Sequence, residues 1–241
     1  MNDQIALDIA CAARILAAEG LSMTVAGHLS LDVGGEMYVN RYGPSFSQVR
    51  PQDIIRVDYD GKVIEGEGYT NDTIRLHGIL HRMVPKARAM IHTHPPSVVT
   101  FSSFRIVPEI YDQESCFLAG DIAIYDEDYE GLATTADRIS PMATVLQHAR
   151  NLIMPNHGAM TSGDDIPVAA VRMILLEHVV KRYMAVQQAA LTLEKKPKGI
   201  PLDVAIRTRT EAGLKAVEQF VELVWQDYIK RLGLSGPGAF N

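Results

Sequence analysis

His92 and His94 lie two residues apart at the end of an apolar run, residues 87–91, that is interrupted only by Arg88. On a strand, alternation places both imidazoles on one face and Thr93 on the other. Pro95 and Pro96 follow and stop the ladder. A second short apolar run, residues 151–155, also ends in proline and delivers His157 beside Gly158. Three neutral imidazoles converging from two strand ends would hold a divalent ion and leave a coordination position for substrate. A histidine at a strand end is also a common hydrogen-bonded structural residue, so spacing alone leaves both readings open.

The elements that must position these residues follow from periodicity. Residues 3–19 carry Ile5, Ile9, Ala12, Ala13 and Leu16 at helical spacing, with Gly20 as a stop. Residues 23–33 and 37–39 read as strands around Gly34-Gly35, and 54–59 with 62–64 as a hairpin turning at Asp60-Gly61. Residues 73–83 are predicted helical, with Leu76, Ile79, Leu80 and Met83 inward, and 136–149 form a third helix. Asp164 or Asp165 caps a long helix to about Leu193, with Pro167 in its first turn. Asp203 caps a last helix to about Leu232, weakened in the middle by Gly213. An uncharged tail follows from Gly233. The mixture predicts one α/β or α+β domain over 1–241, with the C-terminal helix and tail from about residue 200.

Composition sets the bounds. The 241 residues are 47% hydrophobic and 22% charged, enough for one core, with a net charge of −6. No basic run is present to neutralise phosphates, which argues against nucleic acid or an anionic membrane as partner. Lys195-Lys196-Pro197-Lys198 reads as a solvated linker. Cys11 and Cys116 do not make a disulfide framework, and Cys11 reads as a small core residue. With no leader and no long apolar run expected, the setting predicted is soluble, reducing and cytoplasmic.

Three blocks together are specific: His-Gly-Ile-Leu-His followed by Ile-His-Thr-His-Pro-Pro between residues 76 and 101, Pro-Asn-His-Gly-Ala at 155–159, and the turn Asn40-Arg41-Tyr42-Gly43-Pro44. They resemble the class II aldolase/adducin family, over a stretch from about residue 5 to 194. The resemblance implies a three-layer α/β/α domain around a mainly antiparallel sheet. It implies that His92, His94 and His157 bind a divalent metal (zinc, manganese, iron or cobalt). It also implies a homotetramer with active sites between subunits, and a role for the Asn40–Gly43 loop in the substrate pocket.

Two departures from the family's sugar-phosphate aldolases shape the functional reading. Thr73 stands where many of them carry a glutamate that serves as general acid/base, and threonine does not ionise in the relevant range. Asn71 and Asp72 replace phosphate-binding serines, and the Asp72 carboxylate would repel a phosphate dianion. Asp72 is equally readable as a helix N-cap with Asn71 a turn residue. In Gly27-His28-Leu29-Ser30, histidine replaces the family's asparagine, and Asp32 stands in place of an arginine. His28 is either an ordinary buried histidine or a pocket residue that titrates near neutrality and delivers a proton. Ser30 accompanies it as a substrate-binding candidate.

His77 and His81 form an i, i+4 pair of the kind that chelates zinc, but no glutamate follows His77 and apolar neighbours pin the helix. His81 therefore reads as structural, bonded to a carbonyl or carboxylate. His77 faces the metal side by resemblance. Glu114, after the metal-binding strand, is a metal or water partner or else a solvated carboxylate. The functional expectation is a metal-dependent carbon–carbon lyase that decarboxylates a hydroxylated aromatic or heteroaromatic acid, as one branch of the family does. The alternatives are an aldolase on a non-phosphorylated hydroxy-keto substrate, an iron-dependent oxygenase and, last, an adducin-like interaction module. The partner expected is a small-molecule carboxylate.

Overall fold

The computed structural model describes residues 2–22, 24–127, 131, 134–235 and 239–240, with backbone only for 214–216. The start of the expected first strand, Met23, and residues 236–238 and 241 of the tail lie outside the described residues.

The first helix, α1 (Asp3–Ala18), begins where Asn2 Oδ1 accepts the amides of Gln4 and Ile5, and it ends before Gly20, whose φ of +71° a side chain would resist. Its inner face, from Ala6 and Ile9 through Cys11 to Leu16, is fully buried. Eight strands form one sheet among the described residues: β1 (His28–Val33), β2 (Glu36–Asn40), β3 (Ile54–Val57), β4 (Val63–Glu65), β5 (Ala89–Thr93), β6 (Ile122–Ile124), β7 (Asn151–Met154) and β8 (Gly158–Gly163). Their order is β4-β3-β2-β1-β5-β8-β7-β6. Every pairing is antiparallel except β6 with β7.

Alternation then sorts the side chains into two layers. Leu29, Leu31, Ala89 and Ile91 face α1 and the helices α3 (Pro96–Ser102), α5 (Ile166–Leu193) and α6 (Leu202–Arg231). Met90, Leu152, Met154 and Met160 face the other way, onto α2 (Arg75–Met83) and α4 (Ala136–Leu146). The result is helices, sheet and helices in three layers, as expected. Each large aliphatic side chain so enclosed contributes roughly 1.5–3 kcal/mol of transfer free energy.

Several expectations shift in detail. The first strand starts at His28, and residues 24–27 stay outside it, with Gly27 at φ +127°. The β3–β4 turn begins at Asp58, whose Oδ1 accepts the amides of Asp60 and Lys62, so β3 ends at Val57. Met83, expected inward, is 40% exposed because it lies in the last turn of α2. The third helix ends at Leu146 rather than 149. Asp165 caps α5 through Val168, as anticipated. Asp203 lies in the first turn of α6 while Pro201 occupies the cap position, and Gly213 at φ +78° breaks the helical path.

Candidate metal centre

The sheet register builds the site. His28 and His92 are directly opposed on β1 and β5, and their rings stack with centroids 5.7 Å apart. β8 pairs with β5 so that Ala159 opposes Thr93, which brings the preceding turn onto the end of β5. In that turn Asn156 adopts φ +57° and His157 donates its amide to the Met154 carbonyl. The His92, His94 and His157 rings thereby sit 4.8–5.1 Å apart by centroid, and one nitrogen from each lies within 4.8 Å of the others.

Chemistry of the donor set fits a divalent ion. His92 is buried and its Nδ1–H donates to the Ala159 carbonyl at 2.9 Å, which fixes the ring and leaves Nε2 able to serve as a ligand atom. Desolvation, reinforced by the neighbouring imidazoles, holds His92 well below its ordinary pKa. Burial lowers His94 likewise, and burial with His94 beside it brings His157 to about 4. All three are therefore neutral, ligand-competent imidazoles at neutral pH. His94 and His157 are only half-buried, so one side of the group is open. Gly158 is required here: a Cβ would meet the Thr93 carbonyl at 2.4 Å and His94 Cδ2 at 2.8 Å.

Beside the triad, His28 Nε2 lies 2.8 Å from Thr73 Oγ1 and 3.1 Å from Asn71 Oδ1. The Thr73 hydroxyl donates to Asn71 Oδ1 at 2.6 Å, so it accepts from the His28 Nε2–H. That tautomer leaves Nδ1 with a bare lone pair, and this buried atom has no partner among the described residues. Burial lowers the His28 pKa to about 4, opposed by the Asn71 hydrogen bond and reinforced by His94 and His157. Gly27 permits the close approach, since its Cβ would touch the His92 carbonyl and Phe46 at 3.0 Å.

A second chain of hydrogen bonds stands behind. His81 Nδ1–H donates to the Ala87 carbonyl at 2.9 Å, so its Nε2 accepts the Ser30 hydroxyl at 2.7 Å. Ser30 Oγ in turn accepts from His77 Nδ1–H at 2.6 Å. The i, i+4 histidine pair is thus tied by a serine, and His81 has the carbonyl partner expected of a structural residue. Ser30 and His77 are fully buried, and the His77 ring packs edge-on against His28 with centroids 5.4 Å apart.

The remaining candidates lie apart. Asn40 accepts the Leu29 amide at 2.8 Å and so anchors the strand just after His28. Gly43, at φ +125°, sits in a loop braced by the Arg41–Asp53 ion pair. Asp72 is exposed and opens a short 3-10 turn; it is not the N-cap, which is Asn71. Glu114 is exposed on another short 3-10 helix and lines a cavity with Asp112, His178 and Arg182, outside the triad group. Asn71, taken from sequence as a turn residue or a lost phosphate ligand, is instead a partner of His28. Glu177 gave a fainter signal: a lone carboxylate within the apolar run of α5.

Comparison with known proteins agrees with this architecture. Residues 7–184 match the family described as Class II Aldolase and Adducin N-terminal domain. Decarboxylase NovR of Streptomyces niveus is 30% identical over 73% of this chain, and the match spans 64% of that protein's length. L-fuculose 1-phosphate aldolase from Glaciozyma antarctica superposes with a TM-score of 0.81 at 27% identity, covering 96% of this chain and 90% of the other. An aldolase II superfamily protein from Pseudomonas syringae superposes at 0.86 over 100% and 97% of the chains; at 21% identity it speaks for the fold alone. By the match across residues 7–184 and the fold these structures share, the chain belongs to the class II aldolase/adducin family.

Proposed function

We propose that this chain is a single-domain, metal-dependent carbon–carbon lyase that decarboxylates a hydroxylated aromatic or heteroaromatic carboxylic acid. The observation that carries the reading is His28: a buried imidazole stacked on His92, held through Nε2–H by Thr73 and Asn71, with its Nδ1 lone pair unpartnered. The group that converges beside it consists of three histidines and no carboxylate among the described residues. The likeness to a decarboxylase supports the same choice.

His92, His94 and His157 would hold the ion. When bound, it would supply Lewis-acid stabilisation of the negative charge left on the substrate as carbon dioxide departs. The protein's own residues handle the proton. In the resting site burial keeps His28 neutral and covers its Nδ1; a substrate that displaces this cover would bring its hydroxyl to Nδ1, which then accepts the proton. The imidazolium is favoured once an anionic substrate lies beside it. The carbon–carboxylate bond then breaks, its electron pair stays on the ring carbon, and carbon dioxide leaves. The His28 Nδ1–H proton passes to that carbon, and solvent returns a proton to the oxygen. Thr73 and Asn71 fix the tautomer that makes Nδ1, rather than Nε2, the working atom. His28 handles the proton in place of an ionisable side chain at position 73, which is compatible with threonine there.

An aldolase on a non-phosphorylated hydroxy-keto substrate is the second reading, favoured by the likeness to a sugar-phosphate aldolase; it predicts retro-aldol cleavage without carbon dioxide. We also propose a homotetramer with sites between subunits. Phe104, Ile106 and Val107 are exposed, and Ser103 ties their segment to Asn156 in the His157 turn. An apolar strip so close to the site suits a neighbouring subunit. No described helix is long and apolar enough to cross a membrane.

The test is a carbon dioxide-release screen over hydroxy-aromatic dicarboxylates with protein purified without chelators, alongside metal analysis. The wild type should release carbon dioxide and incorporate solvent deuterium at the carbon that lost its carboxylate. His28→Asn should slow release by roughly 10²–10⁴-fold, the usual worth of a positioned acid or base, and still bind metal. Fast cleavage of a sugar phosphate, or full activity in His28→Asn, would refute this chemistry.

A further inference from the structure

The three candidate ligands are not held alike. His92 is locked by its own Nδ1–H bond to Ala159. The His94 ring contacts His92 and His157 but makes no hydrogen bond among the described residues. Its direction must come from the backbone that carries it. That backbone leads straight through Pro95 into α3, a helix of only seven residues that opens at Pro96, and neither proline has an N–H. A helix this short is marginal by itself. Its cap residue is Pro95, which offers no side-chain acceptor, so the first amides of α3 need a partner from elsewhere.

Glu177 supplies it from the middle of α5. Its Oε1 accepts the Ser97 amide and its Oε2 the Val98 amide, each at 3.1 Å. The side chain is 1% exposed. Lys181, one turn on, lies 3.3 Å from Oε1 and offsets part of the cost of burying the charge. The carriage is rigid, because Ile174, Leu176, Val179 and Val180 pin that stretch of α5 in the core. A buried carboxylate eighty residues away in sequence thus reaches the turn that directs a candidate ligand.

We propose that Glu177 is a positioning residue for His94: by binding the Ser97 and Val98 amides it fixes the Pro95–Pro96 turn and the direction of the His94 imidazole, and so sets metal affinity. This rests on the three-histidine metal reading above. It is the counterpart, acting through the backbone, of the carbonyl that orients His92. Partners that orient metal ligands typically change affinity by about 10–100-fold when removed.

The experiment is titration of the metal-free full chain with Zn²⁺ against a competing chelator, together with the visible spectrum of the Co²⁺-loaded protein. In Glu177→Gln the amide oxygen accepts from one N–H while its NH₂ opposes the other. The dissociation constant should rise about 10–100-fold and the Co²⁺ spectrum should change, with far-ultraviolet circular dichroism as in wild type. Glu177→Asp, which keeps the charge but shortens the reach, should lie between. His94→Ala is the control on the parent reading: if it binds Zn²⁺ as tightly as wild type, the metal site itself is wrong. If His94→Ala loses metal while Glu177→Gln keeps wild-type affinity and spectrum, the metal site stands and the role of Glu177 is refuted. Loss of the fold in both Glu177 variants would also overturn it, by assigning the residue to the core and not to the ligand.

Discussion

Gly158→Ala is the sharpest perturbation the site offers. Gly158 opens β8 immediately after His157, and the added Cβ would lie 2.4 Å from the Thr93 carbonyl oxygen, 2.8 Å from His94 Cδ2 and 3.3 Å from His94 Cα. Carbon meets carbonyl oxygen in sheets at about 3.3 Å, so the ends of β5 and β8 must separate by about 0.9 Å. Overpacking of this kind costs roughly 1–3 kcal/mol. For a chain of this size that lowers Tm by roughly 2–12 °C. The same displacement moves His94 against His157, and an error near 1 Å in a positioned group costs on the order of 10²-fold in rate. Gly34→Ala is the matched control. It has open space but φ +66°, so it should lose roughly 1–2 kcal/mol without touching the site. Calorimetry and Zn²⁺ titration on both variants decide the matter: comparable losses of Tm are expected, with weakened metal binding in Gly158→Ala alone. Unchanged Zn²⁺ affinity in Gly158→Ala, or equal loss in Gly34→Ala, would refute the argument that this glycine exists to let β8 approach His94.

Further outcomes follow from buried polar groups. Burial lowers the His81 pKa from 6.5 to about 4, opposed by Asp32 and by the Ala87 carbonyl. Its stability contribution is complete above pH 6.5, where folded and unfolded imidazoles are both neutral, and is lost as pH falls towards 4 because the unfolded chain takes up the proton. Urea titrations from pH 7 to 4 should show about 3 kcal/mol less pH-dependent loss in His81→Gln than in wild type, and parallel curves would count against it. Ser30→Ala leaves His77 Nδ1 and His81 Nε2 without their shared partner; it should lower stability by roughly 1–3 kcal/mol for each stranded nitrogen, and a neutral effect would mean the chain of bonds is incidental. Asp121 meets the Arg172 guanidinium at 2.6 Å and the Arg150 amide at 2.8 Å where β6 begins. Asp121→Ala should cost roughly 3–5 kcal/mol, largely recovered by adding Arg172→Met, and thermal melts of the single and double variants check both.

The convergence of the three histidines was legible in the residues because its geometry is local. His92 and His94 share a face by strand alternation, two prolines mark where the strand ends, and His157 sits one residue before a glycine that starts another strand. The limits of α5 were equally plain, with Asp165 as its cap and Leu193 as its end, because capping is a contact between near neighbours; at α6 the cap position fell to Pro201 and not to Asp203. Which side chains work around the triad depends on register instead. His28 reaches His92 only because β1 pairs with β5 at that alignment, and a slip of one residue would turn it to the opposite face. Asn71, 43 residues from His28, looks like a turn residue until α2 packs on the sheet. Ser30 looked like a pocket hydroxyl until burial placed it between two imidazoles. Glu177 sits in an apolar helix and is 80 residues from the amide it binds. In each case the sequence by itself determined the donor or acceptor and the face of the element. Only tertiary packing decided its partner, because hydrogen bonds between distant segments are chosen by what the core brings within 3 Å and excludes from water.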